Sequence, residues 1–145
     1  MDVTERRFSA LTKEDCRKLQ VLQNKVLRLK IRNFDRNVPT TELLLAAEDL
    51  SVQQLGAFHT AVNVFKITQS GQPKYLAEKL VTPPHGQHLS FQVNCKLNIS
   101  RSGFLFRGAK IWNLLPSDLK QEPKVGTFKI KLKKWIIANI PAKPP

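Results

Sequence analysis

The apolar residues of this chain recur mostly at intervals of three and four, the spacing that places side chains on one face of an α-helix. Between residues 13 and 32 the repeat consists of Leu19, Leu22, Val26 and Leu29. Thr12 stands before this segment as an N-cap, and Glu14 and Asp15 suit the positive end of the helix dipole. We therefore predict a helix here, whose apolar stripe either packs within the chain or pairs with another helix.

Five further helices are predicted from similar repeats and from their boundary residues. Thr41 and Thr127 are predicted N-caps, Ser51-Val-Gln-Gln54 is a capping-box pattern, and Gly71 stands where a helix ends. These helices are expected at about residues 42–48, 52–69, 73–80 and 104–115, and from 128 to before Pro141. Residues 117–126 are expected to form turns.

Two segments interrupt the helical pattern. Thr82-Pro-Pro-His-Gly-Gln-His88 is a cluster of helix breakers, and Ser90–Ile99 alternates apolar and polar residues, as an extended chain does. We expect a mainly α fold: a small multi-helix domain with a long irregular or extended segment around residues 81–103. A single domain over residues 1–145 is predicted, with a flexible Pro-rich tail at 139–145.

Charge is the sequence feature that bears most directly on function. The 145 residues carry 24 Lys and Arg against 11 Asp and Glu, a net charge of +13. The excess is concentrated in residues 1–36 and 91–145, on either side of a nearly neutral middle. Such a balance is typical of proteins that bind nucleic acid, although an acidic protein or a membrane surface would also attract it. If both basic ends face one side of the fold, they form a single binding surface.

The segment Phe104–Pro116 is the richest in large side chains and has two interpretations. Its aromatic residues either stack on bases beside phosphate-binding Arg101, Arg107 and Lys110, or pack in the core of the domain. We expect Trp112 in the core, because its apolar neighbours recur at helical spacing. The other basic group is a lysine-rich face of the last helix, made of Lys129, Lys131, Lys133 and Lys134.

The sequence contains no motif for catalysis or for a cofactor. Nucleophile-elbow, P-loop and dinucleotide-binding patterns are absent. His85 and His88 have no Cys, Asp or Glu beside them, and Cys16 and Cys95 lie far apart. We expect no enzyme activity, no metal and no cofactor. With no apolar run of about 20 residues and no secretory signal, we expect an intracellular protein of the nucleus or cytoplasm with no membrane partner.

Six segments carry a more specific pattern, in this order: Leu19–Arg28, Pro39–Leu44, Leu50–Gln54, Phe58–Ile67, Arg101–Pro116 and Thr127–Lys134. They resemble the segments "LQxxQNKxLR", "PTxELL", "LSVxQ", "FHT…VYKI", "R…F…RGAxxWNxLP" and "FKxxLKxxL". In reverse transcriptases of non-LTR (LINE-type) retrotransposons, these segments follow the polymerase core. The order and spacing match over roughly residues 11–137.

The resemblance implies a non-catalytic C-terminal module of such a protein. The family's palm domain holds two Mg²⁺ ions with paired aspartates, and this chain has no Asp-Asp pair. What the resemblance implies is RNA or DNA binding through Arg17, Lys18, Lys25, Arg28, Arg101, Arg107, Lys110, Lys129, Lys131, Lys133 and Lys134. Two alternatives remain open: a helical protein-interaction module that acts as an adaptor or homodimer, and a retroelement-derived fragment without an evolved function.

Overall fold

The structure, a computed structural model, describes residues 11–80 and 103–142. These residues form seven helices and their connecting turns, without a strand, which confirms the mainly α fold. The helices are α1 (Lys13–Ile31), α2 (Thr40–Ala47), α3 (Val52–Ser70), α4 (Lys74–Ala77), α5 (Phe104–Leu114), α6 (Ser117–Lys120) and α7 (Val125–Asn139). The irregular or extended segment predicted around residues 81–103 lies outside the described residues, except for Gly103, the N-cap of α5.

Several helix boundaries follow from the capping chemistry of the sequence. The Thr12 hydroxyl accepts a hydrogen bond from the backbone N–H of Asp15 at the start of α1. Ser51 and Gln54 form the predicted capping box at the start of α3. Gly71 ends α3 with φ +66°, a left-handed conformation that glycine adopts at little cost.

Three boundary predictions were wrong. Helix α2 begins at Thr40, and no side chain caps it, because its N-cap residue is Pro39, whose side chain has no hydrogen-bond acceptor. Helix α7 begins at Val125, so Thr127 lies within its first turn, because Val125 packs against the core. Residues 117–126 are not all turn, since α6 forms directly after Pro116, whose fixed φ suits a helix start.

The main core is built around α3, which packs against both α5 and α7. Phe65 of α3 stacks on Phe128 of α7, with ring centroids 4.1 Å apart. Trp112 of α5 lies against both rings, at 6.5 and 6.3 Å, and is only 3% exposed. The prediction that Trp112 belongs to the core is therefore confirmed.

A smaller apolar cluster joins α1 to α2 and reaches the end of the chain. It consists of Leu27, Leu43, Leu44 and Ala47, and Ala142 packs against it from beyond α7. Nearby, Gln54 Nε2 donates to the carbonyl oxygen of Ile140 at 2.8 Å, which ties the end of α7 to the first turn of α3. The C-terminal helix is thus anchored to both clusters.

The face that α1 turns toward the rest of the protein combines the buried residues Cys16 and Leu27 with amide side chains. Gln20 is buried and accepts a hydrogen bond from the backbone N–H of Val52 in the first turn of α3, while Gln23 Nε2 donates to the carbonyl of Leu50. Gln20 Nε2 also donates to the side-chain oxygens of Gln23 and Asn24. Hydrogen bonds of amide side chains therefore supply much of the attachment of α1 to the rest of the protein, whereas the apolar stripe does not contribute to it.

The apolar stripe of α1 lies on the surface. Its four residues are exposed to increasing degrees along the helix: Leu19 41%, Leu22 56%, Val26 62% and Leu29 65%. Of the two uses predicted for this stripe, packing within the chain is wrong, because α1 attaches to α2 and α3 through its other side, where Leu27 and the amide side chains lie.

Candidate nucleic-acid interface

Some basic side chains of α1 bind other residues of the protein and some do not. We call a basic side chain uncommitted when no hydrogen bond or ion pair engages it within the described residues. Arg17 donates two hydrogen bonds to Glu14, which lowers the pKa of that carboxyl and raises the pKa of Arg17. Arg28 Nε donates to the carbonyl of Asp35 at 3.3 Å. Lys18 and Lys25 are exposed, and no hydrogen bond or ion pair engages either of them within residues 11–80 and 103–142. Their ammonium groups are available to an external anion.

Helix α7 shows the same division. Lys131 Nζ lies 2.6 Å from Glu122 Oε2, and Lys133 Nζ donates to the carbonyl of Glu48 at 2.8 Å. Lys129 and Lys134 are exposed and uncommitted in the part of the chain that the structure describes. The predicted inner residues Phe128, Leu132 and Ile136 are fully buried, so the lysines do lie on the outer side.

The two basic helices meet at residues 47–49, the end of α2. Lys30 Nζ donates to the Ala47 carbonyl and lies 2.8 Å from Asp49 Oδ2. Lys133 reaches the carbonyl between these two partners, that of Glu48. Because the last carbonyls of a helix carry partial negative charge, two ammonium groups converge there favourably. The N-terminal and C-terminal basic regions are therefore connected through one short segment.

The predicted basic residues of α5 are held differently. Arg107 is half-buried, its Nη1 donates to Thr60 Oγ1 at 3.3 Å, and burial lowers its pKa, although a guanidinium stays charged in proteins. Lys110 Nζ lies 5.2 Å from the centroid of the Phe106 ring, within cation–π range. Arg101 lies outside the described residues. Because Trp112 is buried in the core, it offers no face to a nucleobase.

One aromatic residue was missed by the sequence-based prediction. Phe34, in the α1–α2 connection, is 65% exposed, and the exposed side chains of Arg32 and Arg36 flank it in the chain. Two turns hold this connection: the Asn33 side chain accepts from the N–H of Asp35, and the Asp35 side chain accepts from the N–H of Asn37. The signal was an aromatic residue between two arginines, beyond the predicted end of the first helix.

The described residues contain neither a metal-ligand cluster nor a membrane-spanning helix. Within residues 11–80 and 103–142, no three His, Cys, Asp or Glu side chains converge as a metal site would require. His85, His88 and Cys95 lie outside these ranges. None of the described helices combines the length and the apolar character needed to cross a bilayer.

Comparisons with known proteins give no relative from which to assign this surface. The chain matches no protein-family model, no curated protein and no solved structure.

Many residues that carry the resemblance to the retrotransposon proteins have structural roles here. Gln20, which is buried, and Gln23 and Asn24, which are half-buried, form the amide contacts of α1. Gly108 of the "RGA" segment lies where α5 closely approaches Val64 of α3, and Trp112 fills the core. The recurring letters of these motifs thus include both packing positions and two of the uncommitted lysines, Lys25 and Lys129.

Proposed function

We propose that this chain is a non-catalytic, basic nucleic-acid-binding module, derived from a retrotransposon reverse transcriptase, that contacts the phosphates of RNA or DNA. The observation that carries the proposal is the set of exposed lysines that have no protein partner within residues 11–80 and 103–142, on two helices joined at residues 47–49. Four of these lysines are the predicted residues Lys18, Lys25, Lys129 and Lys134. An ammonium group with no competing carboxylate can neutralise a phosphate and release its condensed counterion.

The net charge supports the same proposal. At +13 the protein would attract polyanions from a distance before any specific contact forms. Arg17, Lys30 and Lys131 already pair with carboxylates, so they would contribute less to phosphate binding than the uncommitted lysines. Phe34 adds an aromatic face between two arginines, on which an unpaired base could stack.

The test is binding of fluorescently labelled single-stranded RNA and of duplex DNA to the full chain and to two variants of equal charge. K129A/K134A removes two uncommitted lysines of α7. K66A/K79A removes two exposed lysines of α3 and of the turn after α4, in the nearly neutral middle of the sequence. We expect K129A/K134A to weaken binding at low salt by about tenfold, roughly 1.4 kcal/mol, and K66A/K79A to weaken it much less. Equal losses in both variants would mean that only net charge matters, and no binding by the full chain would refute the proposal.

A further inference from the structure

The fold assigns no packing role to the exposed stripe of α1. Leu19, Leu22, Val26 and Leu29 are all between 41% and 65% exposed and follow the three-four spacing of a coiled-coil seam. Asp15 precedes the stripe in the same row and binds the Thr12 hydroxyl, and α1 ends at Ile31. The seam therefore spans about three turns, is narrow, and contains no polar side chain within it. A seam of this width fits one helix better than a flat protein surface or a bilayer.

The charges beside the seam select the kind of helix that fits. At the spacing of a coiled coil, Lys18 and Lys25 border the seam on the solvent side, and Arg32 follows them at the C-cap. Lys30, on the opposite border, is already neutralised by Asp49. The border that faces a docking partner is therefore positive along its whole length.

A second copy of the chain does not suit this seam. Antiparallel pairing would set the row Lys18, Lys25 and Arg32 against the same row of the other copy, and parallel pairing would set Lys25 opposite Lys30. The antiparallel arrangement opposes like charges where coiled coils place their ion pairs, and the parallel arrangement gives Lys25 no acidic partner.

We propose that the α1 seam docks an amphipathic helix of another protein, whose apolar residues interlock with Leu19, Leu22, Val26 and Leu29 and whose acidic residues face Lys18 and Lys25. The proposal does not depend on nucleic-acid binding. It gives the chain a second binding surface, which shares Lys18 and Lys25 with the proposed phosphate contacts and whose energy comes from apolar burial, with charge selecting the partner.

The experiment uses two synthetic helical peptides of three heptads with identical leucine seams. One carries Glu at the flanking positions and the other carries Lys. Binding of each labelled peptide to the full chain is measured by fluorescence anisotropy. We expect the Glu peptide to bind at least tenfold more tightly than the Lys peptide.

Three variants separate the contributions. L22Q/V26Q should weaken binding of the Glu peptide at least tenfold, whereas V21Q, which alters another exposed residue of α1 outside the seam, should leave it within twofold. K18E/K25E should reverse the preference between the peptides. All of the altered residues are exposed, so circular dichroism should show an unchanged fold. K129A/K134A should retain peptide binding, which distinguishes this surface from the proposed phosphate contacts of α7.

Four results would overturn the proposal: no binding of either peptide, equal binding of both, a dimer in sedimentation that L22Q/V26Q dissolves, or seam-dependent binding to vesicles of anionic lipid without peptide binding. The third would identify a second copy as the occupant, and the fourth a lipid surface.

Discussion

Lys133 Nζ of α7 lies 2.8 Å from the carbonyl oxygen of Glu48, the C-cap residue of α2. The neighbouring carbonyl, that of Ala47, accepts from Lys30 Nζ of α1 at the same distance. Two lysines from the opposite ends of the sequence thus stabilise one helix terminus. The basic regions that residues 37–90 separate in the sequence are joined in the fold at this point.

We expect Lys133 to contribute mainly to the stability of the folded protein. K133M should lower the free energy of unfolding by about 0.5–1 kcal/mol, because it removes a cation from the C-terminal end of α2. K134M, one residue further along, removes an uncommitted lysine and should leave stability unchanged. Urea unfolding of both variants gives the comparison. Equal effects would contradict the assigned role of Lys133.

Gly108 permits the close contact between α5 and α3. A Cβ at this position would lie 2.8 Å from Cγ2 of Val64, so G108A should destabilise the fold by about 1–3 kcal/mol. Gly126, in the first turn of α7, is the matched control: a Cβ there meets nothing within 4 Å, and G126A should raise stability by about 0.4–1 kcal/mol. Thermal unfolding followed by circular dichroism measures both. A stable G108A variant would show that the helices separate readily at this contact.

Lys120 is buried at the end of α6, and burial lowers the pKa of its ammonium group. The unfolded chain therefore holds this proton more strongly than the folded protein does. The resulting loss of folding stability is complete below the folded-state pKa. It declines as the pH rises from there toward the pKa of lysine in the unfolded chain, about 10.4. K120M keeps much of the stem without the charge, and should raise the unfolding free energy at pH 7 by about 0.5–1 kcal/mol.

Urea unfolding of the wild type and of K120M at pH 7 and at pH 10 tests this predicted direction of the pH dependence of stability. The advantage of K120M should shrink at the higher pH. An advantage that grows with pH, or a less stable variant at pH 7, would show that the ammonium group is stabilised in the folded protein.

The sequence predicted the helices better than it predicted which sides of them are buried. Thr12, Ser51 and Gly71 act through local hydrogen bonds and backbone conformation, so a few neighbouring residues are enough to predict these helix ends. The burial of Gln20 depends on Val52, 32 residues away, and hydrophobic periodicity assigns an amide to the surface by default. The apolar stripe of α1 was located correctly, but its exposure depends on that distant contact.

The candidate site was predictable to a similar extent. The lysines of α7 follow from a repeat in which Phe128, Leu132 and Ile136 point inward. Which lysines stay uncommitted depends on partners distant in the sequence, such as Glu122 and the Glu48 carbonyl. Residue spacing does not predict these partners. Phe34 was missed because a single aromatic in a connection has no periodicity to mark it.

Phe34 is expected to favour single-stranded ligands, because a base in a duplex is already stacked. F34A should weaken binding of single-stranded RNA by about 1–3 kcal/mol and change duplex binding much less. Y75A is the matched control, since Tyr75 is equally exposed on α4. Equal losses on both ligands, or an equal effect of Y75A, would remove Phe34 from the interface.

The central claim is that uncommitted lysines neutralise nucleic-acid phosphates, and the salt dependence of duplex DNA binding tests it most directly. If Lys18, Lys25, Lys129 and Lys134 each contact one phosphate, the plot of log binding constant against log salt concentration should fall with a slope of about −3 to −4. In K129A/K134A the slope should flatten by about 2. A wild-type slope near zero, or an unchanged slope in the variant, would contradict the account.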